Sequence, residues 1–267
     1  MHDAYFSYWS AGYRKIPDYN YLLMQKISLA FAKKSFDRVH LITDSKSLPY
    51  LKNMDWTSVS TELDSIDPKL GGIWSLGKIY SYKIAAERGS PFIHIDYDVI
   101  LWNGMPYKIA GAEVFAQSVE KDAYRSYEIK KFLEHCPDPS YVSYGRNIAV
   151  NMGIFGGTNT EFIKFYATEA IKLAENKANY DFWTSFKDFT WTWNMATIAE
   201  QYFLVTIATL KSKKITCLLD IEGGNSYPSN DMALSLGYTH FMGDKDHKNF
   251  IPRLKQIAKD NCINIDI

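Results

Sequence analysis

From Phe92 to Trp102 the chain runs from an apolar stretch into Asp96-Tyr97-Asp98 and back into a second apolar stretch. The first stretch has the length and β-branched content of a buried strand. Asp96 and Asp98 therefore stand where a strand leaves the core. On an extended backbone residues i and i+2 project to one face, and two carboxylates held that close repel unless a cation lies between them. Carboxylate oxygens suit hard divalent ions such as Mg2+ or Mn2+, which complete their shells with water and substrate phosphate. Two readings are open: a metal–diphosphate site at a strand end with both carboxylates facing solvent, or a solvated acidic turn.

The chain before this segment alternates strands with helices. Strands are expected over Ala4–Trp9, Arg38–Thr43, Thr57–Leu63 and Pro91–Asp96. Helices are expected over Tyr19–Ser35, capped by Asp18, over Leu48–Asn53, and over Ile73–Arg88, stopped by Gly89. Such alternation implies an α/β fold, a mostly parallel sheet flanked by helices on both faces. Ligands of such sheets bind beyond the carboxyl ends of the strands, where Asp44, Asp96 and Asp98 lie. The second half adds strands over Glu113–Val119, Ile148–Phe155 and Ile215–Leu219. Its helices are expected from Thr158 or Asn159 to Asn176, over Trp191–Leu210 and over Phe250–Asn261. Lys121–Asn147 reads as a long polar loop facing substrate. With no repeat and no linker, residues 1–267 are expected to form a single domain.

Composition narrows the partners. The 30 Lys+Arg balance the 30 Asp+Glu, and no basic run marks a nucleic-acid groove. Aromatic residues make up 15%, with 19 Tyr and 7 Trp, and such rings offer apolar faces to bases and sugars. Cys136, Cys217 and Cys262 are odd in number and widely spaced, which argues against a disulfide framework and a zinc site. The start of the sequence lacks the basic and apolar regions of a signal peptide, and no stretch reaches the roughly 18 apolar residues that span a bilayer. The expectation is a cytoplasmic protein without an integral membrane segment.

Four further clusters could carry chemistry, and beside the solvated lysine the plain alternatives are an ordinary strand–turn–helix junction at Asn151, a helix-surface pair at Glu200-Gln201 and a structural histidine at His240. Lys78 lies on the helix before the acidic strand, within reach of a ligand at the strand end or simply solvated. Asn151-Met152-Gly153-Ile154-Phe155-Gly156-Gly157 ends a strand in glycines, which allow close backbone approach, and the Asn151 amide can bind a sugar hydroxyl. Glu200 and Gln201 sit in a strongly apolar helix, where a carboxylate must be satisfied or have its pKa raised. His240 follows Tyr238 in an extended segment and is a fitting third ligand beside carboxylates, while Lys245 nearby suits phosphate.

Taken in chain order, these residues resemble glycosyltransferases of the GT-A fold: a basic residue on a helix, strand-Asp-x-Asp, a later Asn, an acidic-Gln pair, then His-x-x-Gly. The order is most similar to the retaining family 8 enzymes of the galactosyltransferase and glycogenin type. The Asp-x-Asp unit is also similar to that of mannosyl- and toxin-type transferases. The resemblance spans about residues 74–248 and implies a GT-A-type, Rossmann-like fold. Residues 1–102 would form a nucleotide-binding half and 103–267 an acceptor-binding half. It implies a metal-dependent hexosyltransferase using a nucleotide-diphosphate sugar, a UDP-sugar foremost, with retention, and an acceptor that is a glycan or another molecule.

Carried over, Asp96, Asp98 and His240 would hold Mn2+ or Mg2+, with Asp96 also near the ribose. Lys78 would contact the diphosphate or sugar, Asn151 and Gln201 would line the sugar with Gly153 beside them, and Glu200 would approach the anomeric carbon. Tyr8, Trp9 and Asp44, at the ends of the first two strands, would receive the base. Two departures stand out. After His240-Phe241-Met242-Gly243 comes Asp244-Lys245-Asp246-His247-Lys248 in place of Lys-Pro-Trp, so Lys245 and Lys248 compete as the phosphate lysine. Glu200-Gln201 replaces the usual Asp-Gln, which touches the choice between retention and inversion. The alternatives are a nucleotidyltransferase and a non-catalytic sugar- or nucleotide-binding protein.

Overall fold

A computed structural model describes residues 3–120, 123–145, 148–185, 195–219, 234–241 and 249–266, without the side chains of 123–127. Strand β1 (Asp3–Tyr8) is followed by α1 (Tyr19–Lys33), whose first turn is capped by the Asp18 side chain accepting from Tyr21 N. Next come β2 (Val39–Thr43), β3 (Ser58–Ser60), α2 (Leu76–Glu87), β4 (Phe92–Ile95) and β5 (Val99–Leu101). The second half supplies β6 (Phe115–Glu120), α3 (Ala123–His135), β7 (Ala149–Gly157) and α4 (Thr160–Glu175). Helix α5 (Phe203–Leu210), β8 (Thr216–Leu219), β9 (Tyr238–His240) and α6 (Phe250–Asp260) complete it.

One seven-stranded sheet in the order β3-β2-β1-β4-β7-β6-β8 runs through both halves. Only β7 opposes its neighbours; β3, β2, β1 and β4 are parallel, as are β6 and β8. The sheet is thus α/β and mostly parallel, as expected. The carboxyl ends of β1, β2, β4 and β6 and the start of β7 share one edge. Strand order reverses between β1 and β4, the point at which such sheets open a ligand crevice. Along β1 the side chains alternate: Ala4, Phe6 and Tyr8 pack with α1, and Tyr5 and Trp9 with α2. These are the two covered faces that a parallel sheet requires.

Three segments differ from expectation. Lys121–Asn147 contains α3 and a tight turn over Ser140–Tyr144. Among the described side chains, Ile129 and Phe132 on α3 and Cys136 just past its end are buried, masked in sequence by the charges around them. The expected third strand shortens to Ser58–Ser60 and passes into a 3-10 turn at Glu62–Ser65. Of the expected helix Trp191–Leu210, residues 191–194 lie outside the described residues. The remainder passes through a π turn over Ile198–Tyr202 before α5. Among the described residues no helix is long and apolar enough to cross a membrane.

Candidate functional site

The acidic pair is brought together by a reverse turn. Asp96 N donates to Gly153 O at 2.8 Å, which extends the β4–β7 ladder by one residue, and Val99 N donates to Asp96 O at 3.0 Å. The extended i, i+2 arrangement expected for the pair is therefore replaced by a tight link between β4 and β5. The Asp96 side chain keeps 20% of its exposure and that of Asp98 only 5%, so the solvent-facing expectation holds for Asp96 alone. Strand β5 pairs antiparallel with β9, and Val99 lies opposite His240. That ribbon sets His240 Nε2 3.4 Å from Asp98 Oδ1. Ligand atoms of Asp96, Asp98 and His240 all lie within 4.8 Å of one another. Two carboxylates and an imidazole form a donor set that suits Mn2+ or Mg2+.

Beneath the pair lies a buried cation. Lys78 Nζ sits 3.0 Å from Asp96 and 3.0 Å from Glu200 Oε1. Tyr82, one turn further along α2, donates its hydroxyl to the same Glu200 oxygen at 2.7 Å, and Tyr166 donates to the Glu200 carbonyl at 2.8 Å. Burial pulls the Lys78 ammonium pKa down, but the carboxylates of Asp96 and Glu200 outweigh it and raise the pKa above the ordinary lysine value. Glu200 is wholly buried; burial raises its pKa, with Lys78 and the Tyr82 hydroxyl acting against that. The π turn places Glu200 and Gln201 here, a local irregularity frequent at functional sites. His94, on β4, is held neutral: burial, then Lys78, push its pKa well below the ordinary value.

The other residues singled out in the sequence fall around this core. Asn151 Nδ2 donates to Glu120 Oε1 at 3.1 Å, and its Oδ1 accepts from Gly153 N at 2.9 Å. Gln201 is buried close by in chain and turn. Tyr8 is fully buried with its ring stacked 4.5 Å from that of Tyr13, and Trp9 is 4% exposed. The Tyr8 ring thus presents no open face to a base. Asp44 is buried too, its oxygens taken by the backbone N–H groups of Ser10 and Ser47; it ties the ends of β1 and β2 together. Gly243, Lys245 and Lys248 lie outside the described residues.

Sequence reasoning missed Tyr13, Tyr82, Tyr97 and Glu120. Tyr13 and Tyr97 are half-buried rings with centroids 6.1 Å apart, edge to face. Tyr13 lies near enough to the acidic turn that, after burial and the tyrosines Tyr21 and Tyr97, Asp96 and Asp98 add to the rise of its pKa. No spacing in the chain links these residues. Only Tyr82, four positions after Lys78, was within reach of a helical-face argument.

Over residues 7–261 the chain matches DUF6734, a family of unknown function, and it belongs to that family. No curated protein matches it in sequence. Among solved structures it is similar to the apo form of mouse xyloside xylosyltransferase 1. The identity is 10% and the TM-score 0.40, and the match covers 81% of this chain and 84% of that one.

Proposed function

We propose that this chain is a metal-dependent glycosyltransferase that moves a hexosyl group from a nucleotide-diphosphate sugar, a UDP-sugar foremost, to an acceptor with retention. One observation carries the reading: Asp96, Asp98 and His240 converge at the carboxyl end of β4, beside a buried Lys78. The donor set fits a divalent ion, because two carboxylates and an imidazole present their ligand atoms within 4.8 Å of one another. When bound, Mn2+ or Mg2+ supplies charge neutralisation to a departing diphosphate. Lys78 offers a second positive charge that its carboxylate partners keep protonated against the pull of burial. Glu200 acts through Lys78, as a positioning residue. Its wholly buried carboxylate is unsuited to taking a proton from an acceptor, which favours the retaining course, where the departing phosphate can take that proton. Asn151, Gln201 and Gly153 line the sugar side, and the edge beyond β1 and β2, with Asp44, Tyr8 and Trp9 beneath it, receives the nucleotide.

The test is release of nucleotide diphosphate from a panel of nucleotide sugars, with Mn2+ and with a chelator. Metal-dependent release is expected, together with its loss in a folded Asp98→Asn variant. Cleavage to a nucleoside monophosphate and a sugar phosphate, or release insensitive to both metal and Asp98, would overturn the reading. Donor binding without release would mark a binding protein.

A further inference from the structure

The His240 ring is gripped from a strand other than its own. Its Nδ1 lies 2.8 Å from Gln117 Oε1, and Gln117 is wholly buried on β6. An amide oxygen only accepts, so this arrangement puts a proton on Nδ1 and, in the neutral ring, leaves Nε2 bare. That bare nitrogen lies 3.4 Å from Asp98 Oδ1. Two acceptors at that separation attract only with a proton or cation between them.

The backbone is shaped around this contact. Ala116 pairs with Phe155 and Ser118 with Asn151, so Gln117 stands opposite two extra residues in β7. Such irregularities re-aim side chains next to functional sites. The arch in β7 presses Gly153 against the ring and the amide. A Cβ there would lie 2.4 Å from His240 Cε1 and 2.7 Å from Gln117 Oε1. Among the described residues Gln117 Nε2 has no hydrogen-bond partner. A buried unpaired N–H is costly, and a leucine would avoid that cost; the oxygen is the end that is used.

Building on the metal reading above, we propose that Gln117 is a positioning residue that fixes the His240 tautomer, holding the proton on Nδ1 so that Nε2 faces the divalent ion shared with Asp96 and Asp98. Gly153 contributes the space that this contact needs. Metal-bound histidines are generally oriented in this way by an acceptor on the other ring nitrogen.

The experiment has two readouts on the whole chain. Side-chain 15N NMR of the metal-free protein, assigned by comparison with His240→Asn, reports which ring nitrogen carries the proton. Calorimetric titration with MnCl2 reports affinity. The expected results are a proton on Nδ1 in the wild type and its redistribution in Gln117→Leu. Mn2+ affinity should fall about 10- to 100-fold in that variant and be retained in Gln117→Glu, which still accepts. The Glu variant and the wild-type spectrum decide the matter if the Leu variant does not fold. A wild-type proton on Nε2, with the amide turned to donate to Nδ1, would overturn the inference. So would a folded Gln117→Leu with unchanged affinity, while the metal reading stood. Failure of the wild type to bind Mn2+ at all would sink both.

Discussion

Lys78 is the residue on which the site's charge balance rests. It is 6% exposed and paired at 3.0 Å with two carboxylates, one of them wholly buried. Removing one partner of a buried pair leaves an uncompensated charge and typically costs about 3–5 kcal/mol. Lys78→Met should therefore lower the unfolding free energy measured in urea by an amount in that range. Glu200→Gln, added to it, should restore part of the loss, because the amide oxygen still accepts from Tyr82 and no charge remains at that position. A double-mutant cycle on folded variants measures the coupling. Strictly additive effects would show that Lys78 and Glu200 do not support one another.

At the scale of elements, α2 is the strut that carries Lys78 and Tyr82 to the carboxyl edge, and Gly77 sets how closely it lies against the end of β1. A Cβ at Gly77 would fall 2.5 Å from Trp9 Cβ, an atom fixed to the backbone and unable to swing away. Ala in a helix interior is favoured over Gly by about 0.8–1 kcal/mol, so propensity alone argues for stabilisation by Gly77→Ala. The steric argument predicts the reverse sign: a lower Tm and, through displacement of Lys78, weaker donor binding. A raised Tm would refute it.

The same contrast explains what was legible beforehand. Short apolar runs placed β1, β2 and β4, which are buried along their whole length, and helical patterning placed α1 and α4, all to within a residue or two. Helix α3 was not legible, because the apolar residues that its described part buries, Ile129 and Phe132, stand among charges. The π turn at Glu200 arises from hydrogen bonding that no residue pattern encodes. Asp96, Asp98, Lys78 and His240 were found through their chemistry and order. Gln117 and Tyr13 join the site only through sheet register and the fold of the β1 end, neither of which sequence spacing reveals.

At the scale of the whole molecule, the two edges of the sheet divide the work. The carboxyl edge gathers Asp96, Asp98, His240 and Lys78. The opposite edge holds a compact ionic cluster in which Asp3 pairs with Arg38 at 2.8 Å and His40 stacks on Tyr5 with centroids 4.8 Å apart. His40 Nδ1 is 2.7 Å from Ser58 Oγ, and Nε2 is 3.9 Å from Asp3. Burial, then Arg88, with Arg38 adding to them and Asp3 opposing, push its pKa below the ordinary imidazole value. Folded His40 is therefore neutral at pH values where the unfolded chain binds a proton. Stability is unaffected above about pH 6.5 and is lost as pH falls below it, towards the folded-state pKa, by at most about 1.4 kcal/mol per pH unit from this one group. The raised pKa of Glu200 acts in the opposite sense, and the lowered pKa of His94 in the same sense; both cancel when two proteins differing only at position 40 are compared. His40→Gln keeps a hydrogen-bonding group for Ser58 without a titrating ring. Between pH 7.5 and 5.5 the wild type should lose more stability than His40→Gln in chemical denaturation. Parallel pH profiles for the two proteins would remove His40 as the source and place the acid sensitivity elsewhere in the fold.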